Sequence, residues 1–364
     1  MIKAHELEAA LLDALTGLTA SPVKISQLHI LAGGSSQETW RFKLEVEQGR
    51  WQGQHGMILR RPLGGQIFTL ANDLHREYQV LTAAVASSVP SPRPYWLLDN
   101  LAGSPATLVE LLKGESIGRK VVRDPKLAYA REQLPAQMGI ALAAIHEVDY
   151  QAFGLDKLLC GPEAGLTPAQ SQIRQIEAEL DQIGEPHPVL ELALRWLRRN
   201  EPSPPEKLAL IHGDFRVGNL LVNEQGLVAV IDWEFAHIGD YAEDLAYPLV
   251  REWRFGVEHL RLGGIGQPGA YLAAYNAARA MTVDPARVFY WEIMGNVWWA
   301  LGLLNQTRRH LSGEQPNLEF ACLGRRCSEM ELELLNLLRL AGDGIESMRQ
   351  AATNLYLSSQ LVEA

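Results

Sequence analysis

The chain has 364 residues, of which 47% are apolar and 21% charged, and 33 Lys and Arg against 43 Asp and Glu give a formal charge of −10. That balance fits a globular protein long enough for two lobes around a sizeable core. It argues against a general nucleic-acid or anionic-membrane binder, which needs clustered cations. Cys160, Cys322 and Cys327 are too few and too scattered for a disulfide framework. Acidic residues interrupt the apolar N-terminal stretch, and no apolar run reaches spanning length, so a cytoplasmic protein is expected.

Residues 5–18 carry Leu7, Leu11, Leu12 and Leu15 at helical spacing, predicting a helix that closes at Gly17 or just beyond. Strand-like runs follow at 25–31, 39–46, 57–60, 95–98 and 107–110, interrupted by a helix over roughly 71–86. After Gly114 helical patterns dominate, at 127–148, 169–183, 189–199, 271–280, 285–310 and 329–340. The segment 291–304 is broken by Glu292 and Asn296 and reads as a buried helix. The expected fold class is therefore α+β, with a small antiparallel-sheet lobe over 1–112 and a larger, mainly helical lobe over 113–364. Ligands favour such lobe interfaces.

Between the first two strands lies Leu31-Ala-Gly-Gly-Ser-Ser. Gly33 and Gly34 would let a backbone approach a phosphate closely, and Ser35 and Ser36 offer hydroxyls to its oxygens. The same residues also read as a plain hairpin turn, and they lack the Gly-Lys-Ser/Thr of a Walker loop. Next, alternation from Ile58 puts Arg60 on the inner face of its strand, where Glu77 on the following helix could pair with it and fix a phosphate contact. Taken alone, Arg60, Arg61 and Glu77 read as ordinary surface charges.

The stretch 210–246 carries the most chemistry: L-I-H-G-D-F-R-V-G-N-L-L-V, then V-A-V-I-D-W-E-F, then G-D-Y-A-E-D-L-A. Two apolar, β-branched runs flank Gln225-Gly226, a plausible two-residue hairpin loop. If Glu224 pairs with Leu227, Asn219 falls opposite Asp232, setting an amide oxygen beside a carboxylate. Hard oxygen ligands of that kind suit Mg²⁺ held on phosphates. Asp214 then stands as base, or as orienter of an acceptor hydroxyl, and Arg216 could neutralise charge on a transferring phosphoryl group. His212 reads as a buried residue bracing the loop or as a catalytic group. With Asp214 and Asp232 it could also serve a metal-dependent hydrolase, although that chemistry normally wants more histidines.

These motifs closely resemble the aminoglycoside phosphotransferase and choline kinase-like group, relatives of the protein kinases. In particular they are similar to the subgroup found alone in bacteria and fused to acyl-CoA dehydrogenases in animals. The likeness extends over the G-G-S-S turn, the R-R-P strand, the R-E-Y helix, the hinge at 108–111 that includes Glu110, and L-A-A-I-H-E-V-D ahead of the central motif. It implies a bilobed protein-kinase-like fold with ATP between the lobes, GTP being compatible with the same phosphate contacts. Gly33, Gly34, Ser35, Ser36, Arg60, Glu77 and Glu110 would face the nucleotide. Asp214 would be the catalytic aspartate with Arg216 beside it, Asn219 and Asp232 would hold Mg²⁺, and Asp240 and Asp244 would brace the catalytic loop. One departure is Arg60, where these kinases usually carry lysine. It keeps the charge and can pair bidentately, but it is bulkier.

The implied activity is phosphoryl transfer to a hydroxyl of a small molecule. A nucleotide-binding module without useful catalysis is the alternative, with Arg60 as its sign of decay. An aminoglycoside or amino-alcohol kinase is a further alternative, and a polycationic aminoglycoside should call for a pocket rich in carboxylates. The later sequence offers instead Trp291, Trp298 and Trp299, which also read as core, and Arg251, Arg254, Arg261, Arg308 and Arg309. An apolar or anionic acceptor such as a hydroxyacyl thioester fits those residues better.

Overall fold

The computed structural model describes residues 2–31, 37–62, 71–342 and 344–357. It begins with α1 (Ala4–Thr19), β1 (Val23–Ile30), β2 (Gln37–Val46), β3 (Gly53–Pro62), α2 (Leu74–Ala86), β4 (Pro94–Leu101) and β5 (Ser104–Glu110). The strands form one antiparallel sheet in the order β1-β2-β3-β5-β4. Its two faces follow from period-2 alternation. Trp40, Phe42, Leu44, Met57, Leu59 and Leu108 pack with Leu7, Leu11 and Leu15 of α1 into a small core. The opposite face presents Thr39, Arg41, Ile58, Arg60, Thr107 and Val109 as the roof of a cleft.

The second lobe runs through α3 (Gly118–Arg123), α4 (Ala128–His146), α5 (Pro168–Ile183), α6 (Pro188–Arg199), β6 (Ala209–Ile211), β7 (Leu220–Asn223), β8 (Gly226–Val230) and β9 (His237–Gly239). It continues with α7 (Tyr241–Ala246), α8 (Pro268–Arg279), α9 (Pro285–Leu311), α10 (Leu318–Arg325), α11 (Cys327–Ala341) and α12 (Ile345–Leu357). Helix α9 is apolar around much of its girth and packs against α7, α10, α11 and α12, as a helix at the centre of a lobe should. The two polar residues that interrupt 291–304 are buried, and the Asn296 Oδ1 has no hydrogen-bond partner among the described residues. Glu292 faces Arg261 and accepts from the Tyr356 hydroxyl, and Asn296 Nδ2 donates to the Glu292 carbonyl at 2.8 Å.

The elements expected from the sequence all form, with edges displaced by up to four residues. The pair β6–β9, which flanks the central motif, had no separate signal in its short runs. The hairpin register needs correction. Asn223 pairs with Gly226, leaving Glu224-Gln225 as the loop, and the Asn223 side chain accepts the Gln225 N–H at 2.8 Å in an Asx turn. Gly226 has φ +122°, a conformation that glycine adopts without a steric penalty. An irregularity at Leu221/Val222 then moves the ladder by one residue, so Asn219 lies opposite Ile231, whose N–H it accepts at 3.0 Å. Asp232 is the next residue along.

Candidate active site

The loop after β6 takes its shape from one buried carboxylate. Asp244, in the first turn of α7, accepts the His212 N–H at 2.7 Å and the Gly213 N–H at 3.0 Å, and His146 Nε2 stands 3.2 Å away. Burial would raise the Asp244 carboxyl, but the His146 contact and these backbone donors hold it below the ordinary range. Gly213 has φ +80°, and a Cβ there would lie 2.3 Å from the Phe235 carbonyl oxygen, so the turn admits no side chain. His212 is fully buried, with Nε2 3.0 Å from the Ile231 carbonyl and its ring against Phe215 and Trp233. It braces the loop. Asp240 caps α7 but turns to Arg287 and to Trp291 Nε1 (3.0 Å) on α9. Of the two carboxylates expected to brace the loop, Asp244 does so directly, while Asp240 anchors the helix behind it.

The loop holds Asp214 in a cage of donors. Arg216 Nε reaches Oδ1 at 2.9 Å, and Asn219 Nδ2 reaches Oδ2 at 2.5 Å and the Asp214 carbonyl at 2.9 Å. The hydroxyl of Tyr247 stands beside the same carboxylate and interacts with it electrostatically. Burial raises the Asp214 carboxyl above its ordinary value, with Arg216 pulling the other way. The Arg216 guanidinium stacks 4.4 Å over Trp253, which packs against Tyr247 and Trp299 at ring distances of 5.6 and 4.7 Å. Tyr247 is the residue that sequence reasoning missed. It stands three positions beyond Asp244, the spacing that puts two side chains on one helical face.

Across the cleft, Arg60 joins both lobes. Its Nη1 donates to Glu77 at 2.9 Å and its Nη2 to Asp232 at 2.7 Å, and Gln37 Nε2 takes the other Glu77 oxygen at 2.5 Å. Burial pushes Glu77 up to about 7 in spite of Arg60. Asn72, just ahead of α2, bonds the Glu234 and Ala236 carbonyls through its N–H (2.6 Å) and Nδ2 (2.7 Å), which seats α2 beside Asp232. Arg60 and Glu77 are thus cleft residues, whereas Arg61 turns to the opposite side of the strand beside Glu38. Asp232 has φ +71°, a left-handed backbone that costs a non-glycine residue about 1 kcal/mol and clusters at functional sites.

The donor set at this point fits a small hard cation. Asp232 offers a carboxylate that is 31% exposed. Asn219 has its amide nitrogen committed to Asp214, so its amide oxygen is the atom that remains for an ion. Mg²⁺ commonly binds through one or two protein oxygens plus phosphates and water, and the guanidinium already beside Asp232 marks a place that accepts positive charge.

The structure brings Arg60, Glu77, Glu110, Asp214, Arg216, Asn219 and Asp232 to one cleft of about 1330 Å³. Gly33, Gly34, Ser35 and Ser36 lie outside the described residues. The tryptophans divide: Trp291 is core, and Trp298 and Trp299 line the cleft. Four of the five arginines expected to attract an anionic acceptor are engaged by other side chains. Arg254 lies 3.0 Å from Glu333, Arg261 pairs with Glu292, Arg251 lies 3.4 Å from Glu258 and Arg309 bonds Gln306 at 3.0 Å, while Arg308 is exposed. The cations that reach the cleft besides Arg60 and Arg216 are Arg41, Lys43 and Lys113.

A sequence model of the phosphotransferase enzyme family matches residues 27–289. Acyl-CoA dehydrogenase family member 10 of Mus musculus is 29% identical over 225 residues, 59% of this chain and 19% of that protein. The chain spans less than a third of the length of curated relatives it matches. Among solved structures, a Ralstonia eutropha protein assigned to the aminoglycoside phosphotransferases superposes with a TM-score of 0.67 at 20% identity, covering 97% of this chain and 99% of that one. Spectinomycin phosphotransferase, solved with ADP and spectinomycin, superposes with a TM-score of 0.58 at 13% identity, covering 97% and 99%. The bilobed architecture is that of these kinase-like folds. No helix among the described residues is long and apolar enough to cross a membrane.

Proposed function

The chain belongs to the phosphotransferase enzyme family, and on that premise we propose that it moves the terminal phosphoryl group of Mg²⁺-bound ATP to the hydroxyl of a small acceptor with an apolar body. The observation that carries this reading is the caged Asp214 carboxylate facing the Arg60–Glu77–Asp232 bridge across one cleft. Bound Mg²⁺ would neutralise charge on the phosphates between Asn219 and Asp232. Arg60 would turn from Asp232 to a phosphate oxygen while Glu77 keeps hold of its other nitrogen. Asp214 would accept the hydrogen bond of the acceptor hydroxyl, align it for in-line attack and take its proton as the new O–P bond forms and the bond to the leaving diphosphate breaks. Arg216, fixed by Asp214 and Trp253, supplies positive charge beside the transferred group. At the hinge, the N–H of Glu110 is engaged by the Arg93 carbonyl at 2.9 Å, while that of Leu112 has no acceptor among the described residues and suits an adenine ring nitrogen.

The acceptor class follows from the walls. Phe235, Trp298, Trp299, Phe320 and Leu323 line the cleft beyond Asp214, with the amides of Gln306 and Gln315 among them. Such a surface suits an acyl chain better than a polycation, and Arg41, Lys43 and Lys113 suit an anionic attachment. Relatives named as acyl-CoA dehydrogenases support a hydroxyacyl thioester. The test is Mg·ATP with panels of hydroxyacyl thioesters, amino alcohols and aminoglycosides, comparing wild type with Asp214→Asn. We expect phosphorylation of a thioester and a fall of about 10³-fold in kcat for the variant, with ADP affinity retained. Equal turnover by both proteins would remove Asp214 from the mechanism, and a GTP arm decides the base. Tight nucleotide binding with no phosphate reaching any acceptor or water would establish a binding module instead.

A further inference from the structure

The starts of α6 and α11 bring three ligand-type side chains together, and none of the three lines the cleft. His187 immediately precedes α6, and Cys327 and Glu331 stand one turn apart at the beginning of α11, on one face of that helix. One ligand atom from each lies within 4.8 Å of the other two. His187 Nδ1 is 3.9 Å from a Glu331 oxygen, beyond hydrogen-bond range, and its Nε2 is buried without a partner among the described residues. A buried, unsatisfied ring nitrogen in a native structure calls for an explanation, an ion or water among the first. Cys327 is also buried. It is free of any disulfide, and its sulfur faces the same cluster.

We propose that His187, Cys327 and Glu331 bind one borderline transition-metal ion, Zn²⁺ by its chemistry, through imidazole nitrogen, thiolate sulfur and carboxylate oxygen, with water as the fourth ligand. Sulfur and nitrogen donors select this class over Mg²⁺ or Ca²⁺. Thiolate and carboxylate together cancel the charge of a dication, which leaves a neutral cluster in a partly buried place. Bond lengths of about 2.0–2.3 Å put tetrahedral ligand atoms about 3.5 Å apart, so the side chains close by about 1 Å on binding. The S–H bond breaks as the S–metal bond forms, and its proton leaves to solvent. The ion would pin the start of α11 to the start of α6. Two residues further along α11, Glu333 anchors Arg254, the neighbour of the Trp253 ring that carries Arg216.

The test uses the full chain with Cys160→Ser and Cys322→Ser, because both of those thiols are exposed and would confuse the readout. Co²⁺ is titrated as a spectroscopic probe. We expect thiolate-to-cobalt charge-transfer absorption that saturates at one ion per chain, disappears in Cys327→Ser and needs at least tenfold more Co²⁺ in His187→Gln. Zn²⁺ should displace the Co²⁺ and raise the melting temperature of the parent, with about one proton released per ion. Absence of the charge-transfer band overturns the site. So does an unchanged Co²⁺ midpoint in His187→Gln, a variant that keeps the buried thiol and so remains informative even where Cys327→Ser fails to fold.

Discussion

Arg60→Lys keeps the charge and removes the fork. The arginine reaches Glu77 at 2.9 Å and Asp232 at 2.7 Å with separate nitrogens, whereas an ammonium reaches one carboxylate at a time. Hydrogen bonds to charged groups are worth about 1.5–3 kcal/mol. The side chains of Arg60 and Asp232 are 21% and 31% exposed, so solvent screening reduces the Asp232 arm to about 1–1.5 kcal/mol. If the metal takes the oxygen that Arg60 holds, this arm opposes metal binding by the same amount. Its removal should lower the Mg²⁺ concentration that half-saturates ADP binding by about five- to tenfold. The metal-free melting temperature should fall by about 1–2 °C. Calorimetric ADP titrations at a series of Mg²⁺ concentrations, with thermal unfolding in EDTA, measure both quantities. An Mg²⁺ midpoint that stays put or rises while the melting temperature falls would refute the competition.

Tyr247→Phe deletes the hydroxyl beside Asp214 and keeps the ring against Trp253, so we expect kcat to drop about 10- to 100-fold with ADP affinity unchanged; a loss confined to KM would assign the hydroxyl to acceptor binding instead. His237 provides a pH prediction. Burial opposes its charge, but Glu243 at 3.2 Å outweighs burial and holds the imidazole at about 9. Because this folded value is raised, the stabilisation is fully present below about pH 6.5 and is lost as pH rises toward 9. The side chain is 29% exposed, so screening limits the effect to about 1–2 kcal/mol. Urea unfolding across that window should show the decline in wild type, and a slope of the same size in His237→Gln would place its origin elsewhere.

The proposed reaction centre was legible because its candidate residues are close together along the chain. Asp214, Arg216, Asn219 and Asp232 fall within two strands and a loop, and Arg60 was legible from alternation along a single strand. What stayed hidden depended on local irregularity or on distant partners. The one-residue slip that sets Asn219 against Ile231 arises from the Leu221/Val222 irregularity, where Val222 also exchanges hydrogen bonds with Glu115. The arginines after residue 250 looked available to an anionic ligand because Glu292 and Glu333, their partners, lie 31 and 79 positions away along the chain. Periodicity identifies such glutamates only as polar breaks in apolar helices, and pairing across a helix bundle leaves no local trace.

The dependence of the turn at Asp214 on Asp244 has a consequence for how the proposed activity would be acquired. Its amide acceptor lies 32 positions beyond His212, and the histidine that buttresses it lies 98 positions before. Chains fold broadly from the N-terminus as they are synthesised. The five-stranded sheet with Arg60 can therefore assemble while Asp214 is still on an unshaped segment, waiting for α7 to emerge. An unfinished polypeptide would present the roof of the proposed nucleotide cleft without its floor, and competence would arrive in one step, when a single carboxylate docks.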